Sequence, residues 1–255
     1  MSAGSKWAGW DCLGFDLEST GVNVWGDRIV TAALVAIWAD GTKRHLTSYV
    51  VDPGIDIPEG AAAVHGYTRD RAIAEATHTD PSQALFEISG RLATAMGKGI
   101  PIVGANLSYD LSLLETENRR LEVPTLVERM GGVSKIQPVV DVMVLDKHAD
   151  PYRKGGRKLE QLCTTYGVKL DDAHDAGADA LAACLLWPKI MAKHARKFPG
   201  MTLPALHQSQ IGWKKQQMDG LRAYFDRNGT EHDGCCGSWP LHTDRCCGSR
   251  VVVGA

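Results

Sequence analysis

The chain has no apolar run approaching the ~20 residues that a membrane-spanning helix needs. The opening Met1-Ser2-Ala3-Gly4-Ser5-Lys6 lacks the apolar core of a secretory signal. Both absences lead to the expectation of a cytoplasmic protein with no membrane partner. Neither sign of charge dominates: 28 Lys and Arg stand against 30 Asp and Glu, a formal net charge of −2. That excludes a globally basic nucleic-acid binder, but not an enzyme with a local basic track. Cysteine is scarce outside the last two dozen residues. Cys12, Cys163 and Cys184 stand alone in apolar or helical contexts, as reduced core thiols do.

What is present is ordinary for a globular chain, 44% apolar and 23% charged. Its 255 residues suffice for one large core with an appendage. The expected division is a main domain over residues 1–200, then a helix and a Cys/Gly-rich tail over 201–255.

The pattern along the chain is strands first, then alternating helix and strand. Residues 10–18, 28–38 and 43–51 read as an antiparallel meander, with Ala39-Asp40-Gly41 as a hairpin turn. Residues 52–83 are broken by Pro53, Gly54, Pro58 and Gly60 and read as irregular. A helix is expected from Ser82 to Met96, a short buried strand over 100–105 and a helix from Leu107 to Leu121. Pro138 to Leu145 reads as another apolar strand, followed by a basic loop over 147–158. Leu159 to Tyr166 is a short helix stopped by Gly167. Helices are expected over 176–194, with Pro188 as a kink, and over 203–227. The fold class is α/β: a mixed sheet, an antiparallel meander followed by parallel strands, flanked by helices and followed by a helical and irregular C-terminal extension.

Within this frame the segment Phe15-Asp16-Leu17-Glu18-Ser19-Thr20-Gly21 carries two carboxylates at strand spacing. Asp16 and Glu18 point to one face, Phe15 and Leu17 to the other. Like charges that close repel unless a cation lies between them, and oxygen ligands suit Mg²⁺ or Mn²⁺. Taken alone, the pair reads first as the solvated acidic face of an edge strand, and only partners elsewhere in the chain would make it a site. Asp110 follows a strand end, where α/β sheets gather functional groups, although a helix N-cap is the plainer reading. Asp179 falls in the first turn of a helix, where the helix dipole favours a carboxylate. His174 lies on the loop before it.

Taken together these stretches resemble a known family. Phe15 to Gly21, then Asn106-Leu107-Ser108-Tyr109-Asp110, then His174 with four residues before Asp179, are similar to the three motifs of the DEDDh 3′→5′ exonucleases. This is the superfamily of the proofreading ε subunit of bacterial DNA polymerase III, and its fold is ribonuclease H-like. Val64-His65-Gly66-Tyr67-Thr68 resembles that family's loop between the third strand and first helix. The resemblance covers about residues 8–195. The tail is similar to exonuclease-like proteins of actinobacteria and their phages. One departure stands out, because Ala105 occupies a position where the family often has His.

The resemblance implies a two-metal phosphodiesterase releasing nucleoside 5′-monophosphates from 3′ ends. Asp16, Glu18, Asp110 and Asp179 would hold two Mg²⁺ or Mn²⁺ ions, with His174 as general base. Ser19, Thr20 and Gly21 would meet the 3′ terminus, with His65, Asn106 and Tyr109 as further substrate contacts. Tyr109 is equally readable as core packing, and the basic loop as a solvated loop rather than a phosphate track. The expected partners are nucleic acid with a 3′ end, single-stranded and with DNA favoured over RNA, and a DNA polymerase in trans for a proofreading role. A catalytically silent binding or polymerase-docking module on the same fold is the alternative, as is an exoribonuclease. Adjacent cysteines chelate poorly compared with Cys-x-x-Cys, so a structural zinc at Cys235, Cys236, Cys246 and Cys247 is not expected, and the tail reads as flexible.

Overall fold

The computed structural model describes residues 11–38, 44–170, 174–231 and 236–243. Five strands form one sheet in the order β3-β2-β1-β4-β5. β1 (Cys12–Ser19), β2 (Ile29–Ile37) and β3 (Arg44–Val50) make the antiparallel meander. β4 (Ile102–Gly104) and β5 (Val139–Asp141) extend it in parallel on the other side of β1. β1 is therefore central, not an edge. The expected turn at 39–41 lies outside the described residues.

Helices cover both faces. α3 (Pro81–Gly97), α4 (Leu107–Arg120) and α5 (Leu126–Met130) lie over one core, where Phe15, Leu17, Leu34, Leu85, Ile88 and Leu111 are buried. α6 (Val142–Ala149), α7 (Leu159–Tyr166) and α8 (Ala176–Lys193) lie over the other, with Val103, Val140, Leu162, Leu186 and Ile190. Each such fully buried side chain contributes about 1.5–3 kcal/mol. The two cores set the alternation within β1: Phe15 and Leu17 go to the first, which turns Asp16 and Glu18 the other way.

Three expectations change. Residues 52–83 are not wholly irregular, because α1 (Glu59–His65) and α2 (Arg69–Ala74) form there. The strand expected over Pro138–Leu145 is only three residues long and turns directly into α6. The cause is Asp141, whose carboxylate accepts from the Met143 and Val144 amides and so starts a helix. The tail is not simply flexible: Trp239 and Leu241 are buried in the first core, and the His242 amide donates to Ser112 Oγ at 2.8 Å. Cys236 is buried and disulfide-bonded, while Cys235, Cys246 and Cys247 lie outside the described residues.

α9 (Leu203–Arg227) closes the open edge of the sheet. The Val139 amide donates to His207 Nδ1 at 3.2 Å, and the Asp141 amide donates to Gln210 Oε1 at 2.8 Å. Gln210 Nε2 donates back to the Val139 carbonyl at 3.0 Å. Two side chains thus supply the hydrogen bonds that a sixth strand would make, which blunts a sheet edge.

Candidate active site

The site forms where β1 outruns its parallel neighbour. β1 pairs with β4 only at Leu13 and Gly14. Beyond that point the N-terminal end of α4 fills the gap, and the Leu17 amide donates to Asp110 Oδ1 at 3.2 Å. Asp110 therefore lies in the first turn of α4 rather than at its cap. The cap position belongs to Asn106, which is exposed in the left-handed conformation at φ 61°. Asp141 fixes that helix start, accepting from the Asn106 and Leu107 amides at 3.2 and 3.1 Å.

From the opposite side α8 brings Asp179. A Cβ on Gly14 would sit 2.7 Å from the Ala180 carbonyl and 2.8 Å from Cys184 Sγ. Only glycine lets α8 approach β1 this closely. Asp175 caps α8 by accepting from the Ala178 amide at 2.9 Å, and adds its charge to the site.

The four carboxylates face one another. Burial lifts Asp16 well above the usual carboxylate range, and Asp110, Asp179, Glu18 and Asp175 lift it further. Burial also raises Asp110, despite the Leu17 amide, with Asp141 and Glu18 adding to the effect. Glu18 is pushed up to about 7 by burial and by Asp179 and Asp175. Asp179 is pushed up to about 6 by burial, against the pull of His174. Asp179 Oδ1 is buried with no hydrogen-bond partner among the described residues. Ligand atoms of Glu18, His174 and Asp179 all lie within 4.8 Å of one another. Mutually repelling acids, a buried oxygen lacking a donor and an all-oxygen set with one imidazole are what hard divalent cations satisfy.

His174 sits on the turn before α8 at φ 68°, a conformation uncommon outside glycine. Its ring is half exposed, with Nε2 3.4 Å from Glu160 Oε1. His65 ends α1, and its Nδ1 accepts from the Tyr67 amide at 3.2 Å. Burial lowers its pKa, with the Ser19 backbone beside it pulling the other way. Glu18, His65, Tyr67, Arg71 and His174 line one cleft of about 420 Å³.

Around the Ser19–Gly21 turn the side chains are largely committed. Thr20 is buried, donating to Asp27 Oδ1 at 2.9 Å and accepting from the Arg28 amide at 3.0 Å. A Cβ on Gly21 would strike the Asp27 carboxylate at 2.6 Å. The Tyr109 hydroxyl lies 2.6 Å from Ser19 Oγ and donates to the Gly21 carbonyl at 2.5 Å. It ties the turn to α4, a role between the two foreseen for it. The basic loop is also partly committed, because Arg153 and Arg157 both bind the buried Asp146.

Asp141, Asp175, Gly14 and Glu160 were not foreseen as parts of the site. A glycine inside a strand and an aspartate just before a helix were their readable signals.

Fold and site together define a nuclease of the ribonuclease H-like class. The Exonuclease family model (RNase T) matches residues 13–187, and the chain belongs to that family, on its DEDDh branch. The DNA polymerase III PolC-type of Lacticaseibacillus paracasei is 28% identical over 188 residues, 74% of this chain and 12% of that protein. Escherichia coli exonuclease I with a dT13 oligonucleotide superposes with a TM-score of 0.57 at 17% identity, over 74% of this chain and 42% of that one. Exonuclease I of Methylocaldum szegediense gives 0.56 and 17% over the same shares. The chain thus spans about an eighth of the polymerase and under half of the exonucleases. The likeness of the tail to actinobacterial and phage proteins finds no support in these comparisons.

Proposed function

We propose that this chain is a metal-dependent 3′→5′ exonuclease that removes nucleoside 5′-monophosphates from the 3′ ends of single-stranded DNA. One observation carries the reading: four carboxylates from β1, α4 and α8 converge with raised pKa values, and one of their oxygens is buried without a donor. Asp16, Glu18, Asp110 and Asp179 would hold two Mg²⁺ or Mn²⁺ ions. Such ions supply an activated water and charge stabilisation at the phosphate and leaving oxygen.

The other steps belong to the chain. His174, beside Glu18 and Asp179 but open to solvent, accepts the proton of the attacking water, a task suited to imidazole at neutral pH. The Ser19–Gly21 backbone, stiffened by Thr20 and Tyr109, receives the terminal 3′-hydroxyl. His65 lines the wall beside Ser19, and Asn106 stands exposed at the head of α4, both placed to meet the terminal nucleotide. Single-stranded DNA is bound by the exonuclease I relative, and the PolC-type relative is itself a DNA polymerase III, which supports a polymerase as partner in trans.

The test is a side-by-side digest of 3′-labelled single-stranded DNA, mismatched duplex and RNA. Expected are release of 5′-monophosphates from single-stranded DNA first, arrest by EDTA and recovery with Mg²⁺ or Mn²⁺. Digestion that continues in EDTA would refute the metal assignment.

A further inference from the structure

A groove of about 830 Å³ runs between α6 and α9. α9 lies wholly outside residues 13–187, the stretch that defines the family. One end of the groove is Asn106, the residue at the head of α4. Asp110 comes four residues later, about 6 Å along the helix. Burial raises the pKa of Asp141, the acid that holds the Asn106 amide, and Lys214 lies close enough to that carboxyl to temper the rise, which sets this lysine toward the Asn106 end. The far end is Arg227, some 21 Å beyond Trp213 at helical rise.

The lining has one sign of charge. Lys147, Arg157, Lys214 and Arg227 face the groove, and among the described residues no carboxylate lines it. Asp219, an acid of α9, is paired with Lys215 and Arg222, neither of which lines the groove. Arg157 is held by Asp146, but Arg153 shares that carboxylate, so the cluster keeps an excess positive charge. In a chain with a net charge of −2, an acid-free groove is a local feature that selects an anion.

Two exposed rings line it. Tyr152 is 92% exposed, and Tyr224, which meets the Phe225 ring edge-on at 5.9 Å, is still 54% exposed. Trp213 differs, since His148 stacks on it at 3.7 Å and Phe198 meets its edge, making it wall rather than platform. Cations alternating with exposed rings along a groove suit one extended polyanion with ring-shaped side groups, which is single-stranded nucleic acid.

We propose that this groove carries the single strand on the 5′ side of the terminal nucleotide, with Lys147, Lys214 and Arg227 on phosphates and Tyr152 and Tyr224 under bases. The inference rests on the exonuclease reading for its direction, and makes α9 the element that sets preference for longer strands. Ser19–Gly21 then holds the 3′ end, and the groove holds the nucleotides upstream of it.

The test compares a twelve-nucleotide oligothymidylate with a trinucleotide on the full chain. In Lys147→Ala/Lys214→Ala/Arg227→Ala, the ratio of kcat/KM for the long over the short substrate should fall about tenfold. Binding of the fluorescein-labelled twelve-mer, measured in an Asp16→Ala background, should lose about 2 from its log–log salt slope, near 0.7 for each phosphate contact. Tyr152→Ala/Tyr224→Ala should weaken that binding about tenfold and leave the slope alone, because stacking is not a counterion effect. Lys147→Arg/Lys214→Arg should keep the ratio. An unchanged ratio and slope in the triple variant would overturn the groove assignment. If the native chain cleaves neither oligonucleotide with Mg²⁺ or Mn²⁺, the exonuclease reading falls. The groove is then judged on twelve-mer binding alone, supported if the triple variant binds more weakly and overturned if it binds as well.

Discussion

Two sets of acids, one fully buried and the other buried wholly or in part, coexist in this molecule, and they are handled in opposite ways. Asp141, Asp146, Glu115 and Glu117 are each buried and each surrounded by donors. Asp141 takes four backbone amides. Asp146 takes Arg153, Arg157 and the Tyr166 hydroxyl. Glu115 takes the Leu126 and Val127 amides, and Glu117 takes Arg120 through both oxygens. Asp16, Glu18, Asp110 and Asp179 instead face one another, with the Leu17 amide on Asp110 and the His174 backbone beside Asp179 as modest relief. A buried charge needs a partner. Where the chain supplies one the acid is structural, and where it does not, the proposed metal ions would supply it.

The sharpest way to break that contrast is to remove one acid from each set. Asp179→Asn should lower activity by about a thousandfold or more, the several kcal/mol that a lost metal site represents. It should raise the melting temperature of the metal-free protein, because it removes a repelling charge. The contrast fails if Asp179→Asn melts lower in EDTA than the native chain does. The same repulsion has a pH signature. Glu18 and Asp179 are raised to about 7 and about 6 in the folded chain, above their ordinary values near 4. Stability of the metal-free protein from these groups is therefore full below pH 4 and lost as pH rises through 7. The gain in melting temperature on adding Mg²⁺ should accordingly grow from pH 5 to pH 8, and a flat gain would count against the site.

Asp146→Ala should act the other way. It strands Arg153 and Arg157, which are 15% and 14% exposed, without their carboxylate. Breaking such a pair costs about 3–5 kcal/mol. Urea unfolding measures it, and a loss below ~1 kcal/mol would place Asp146 among the dispensable surface pairs.

How far all this was readable before the fold was known depends on where burial leaves a periodic trace. The Asp16/Glu18 pair was legible because a strand sends alternate residues to opposite faces. α9 was legible in extent from its helical pattern, but not in purpose, since nothing local says that His207 and Gln210 complete a sheet edge. α1 was missed because it buries no residue and so carries no periodicity. Val142 to Leu145 were read as strand because an apolar, β-branched run looks alike in a buried strand and a buried helix. The Asp141 cap decides between them, and its effect is visible only once the amides it accepts are in place. The packing of Trp239 and Leu241 left no trace either, because two buried residues in irregular chain make no pattern.

His207 sharpens the comparison from the basic side. It is buried on α9 against β5, its Nδ1 accepts from the Val139 amide, and burial holds its pKa down at about 4. The unfolded chain takes up this proton near pH 6.5 and the folded chain only near 4. Its contribution is therefore present above pH 6.5 and lost as pH falls to 4, at most about 3 kcal/mol. His207→Gln should flatten this part of the stability profile in saturating Mg²⁺. An unchanged slope between pH 6.5 and 4.5 would mean that the histidine is already satisfied in both protonation states.

The smallest expected effect tests the link between the sets. Tyr109→Phe deletes the hydroxyl that joins Ser19 Oγ and the Gly21 carbonyl to α4. A buried hydrogen bond of this kind is worth about 1 kcal/mol, so the melting temperature should fall by a few degrees. The turn held by Tyr109 is the one assigned to the 3′ terminus, and Asp110 is its immediate neighbour in sequence. If Tyr109 only packs, kcat and KM should track the small stability loss and stay near native below the transition. If it positions the turn, kcat/KM should fall severalfold at temperatures where the fold is intact, and more for the terminal nucleotide than for overall binding of a long strand. Equal losses on both would move Tyr109 out of the site and into the core.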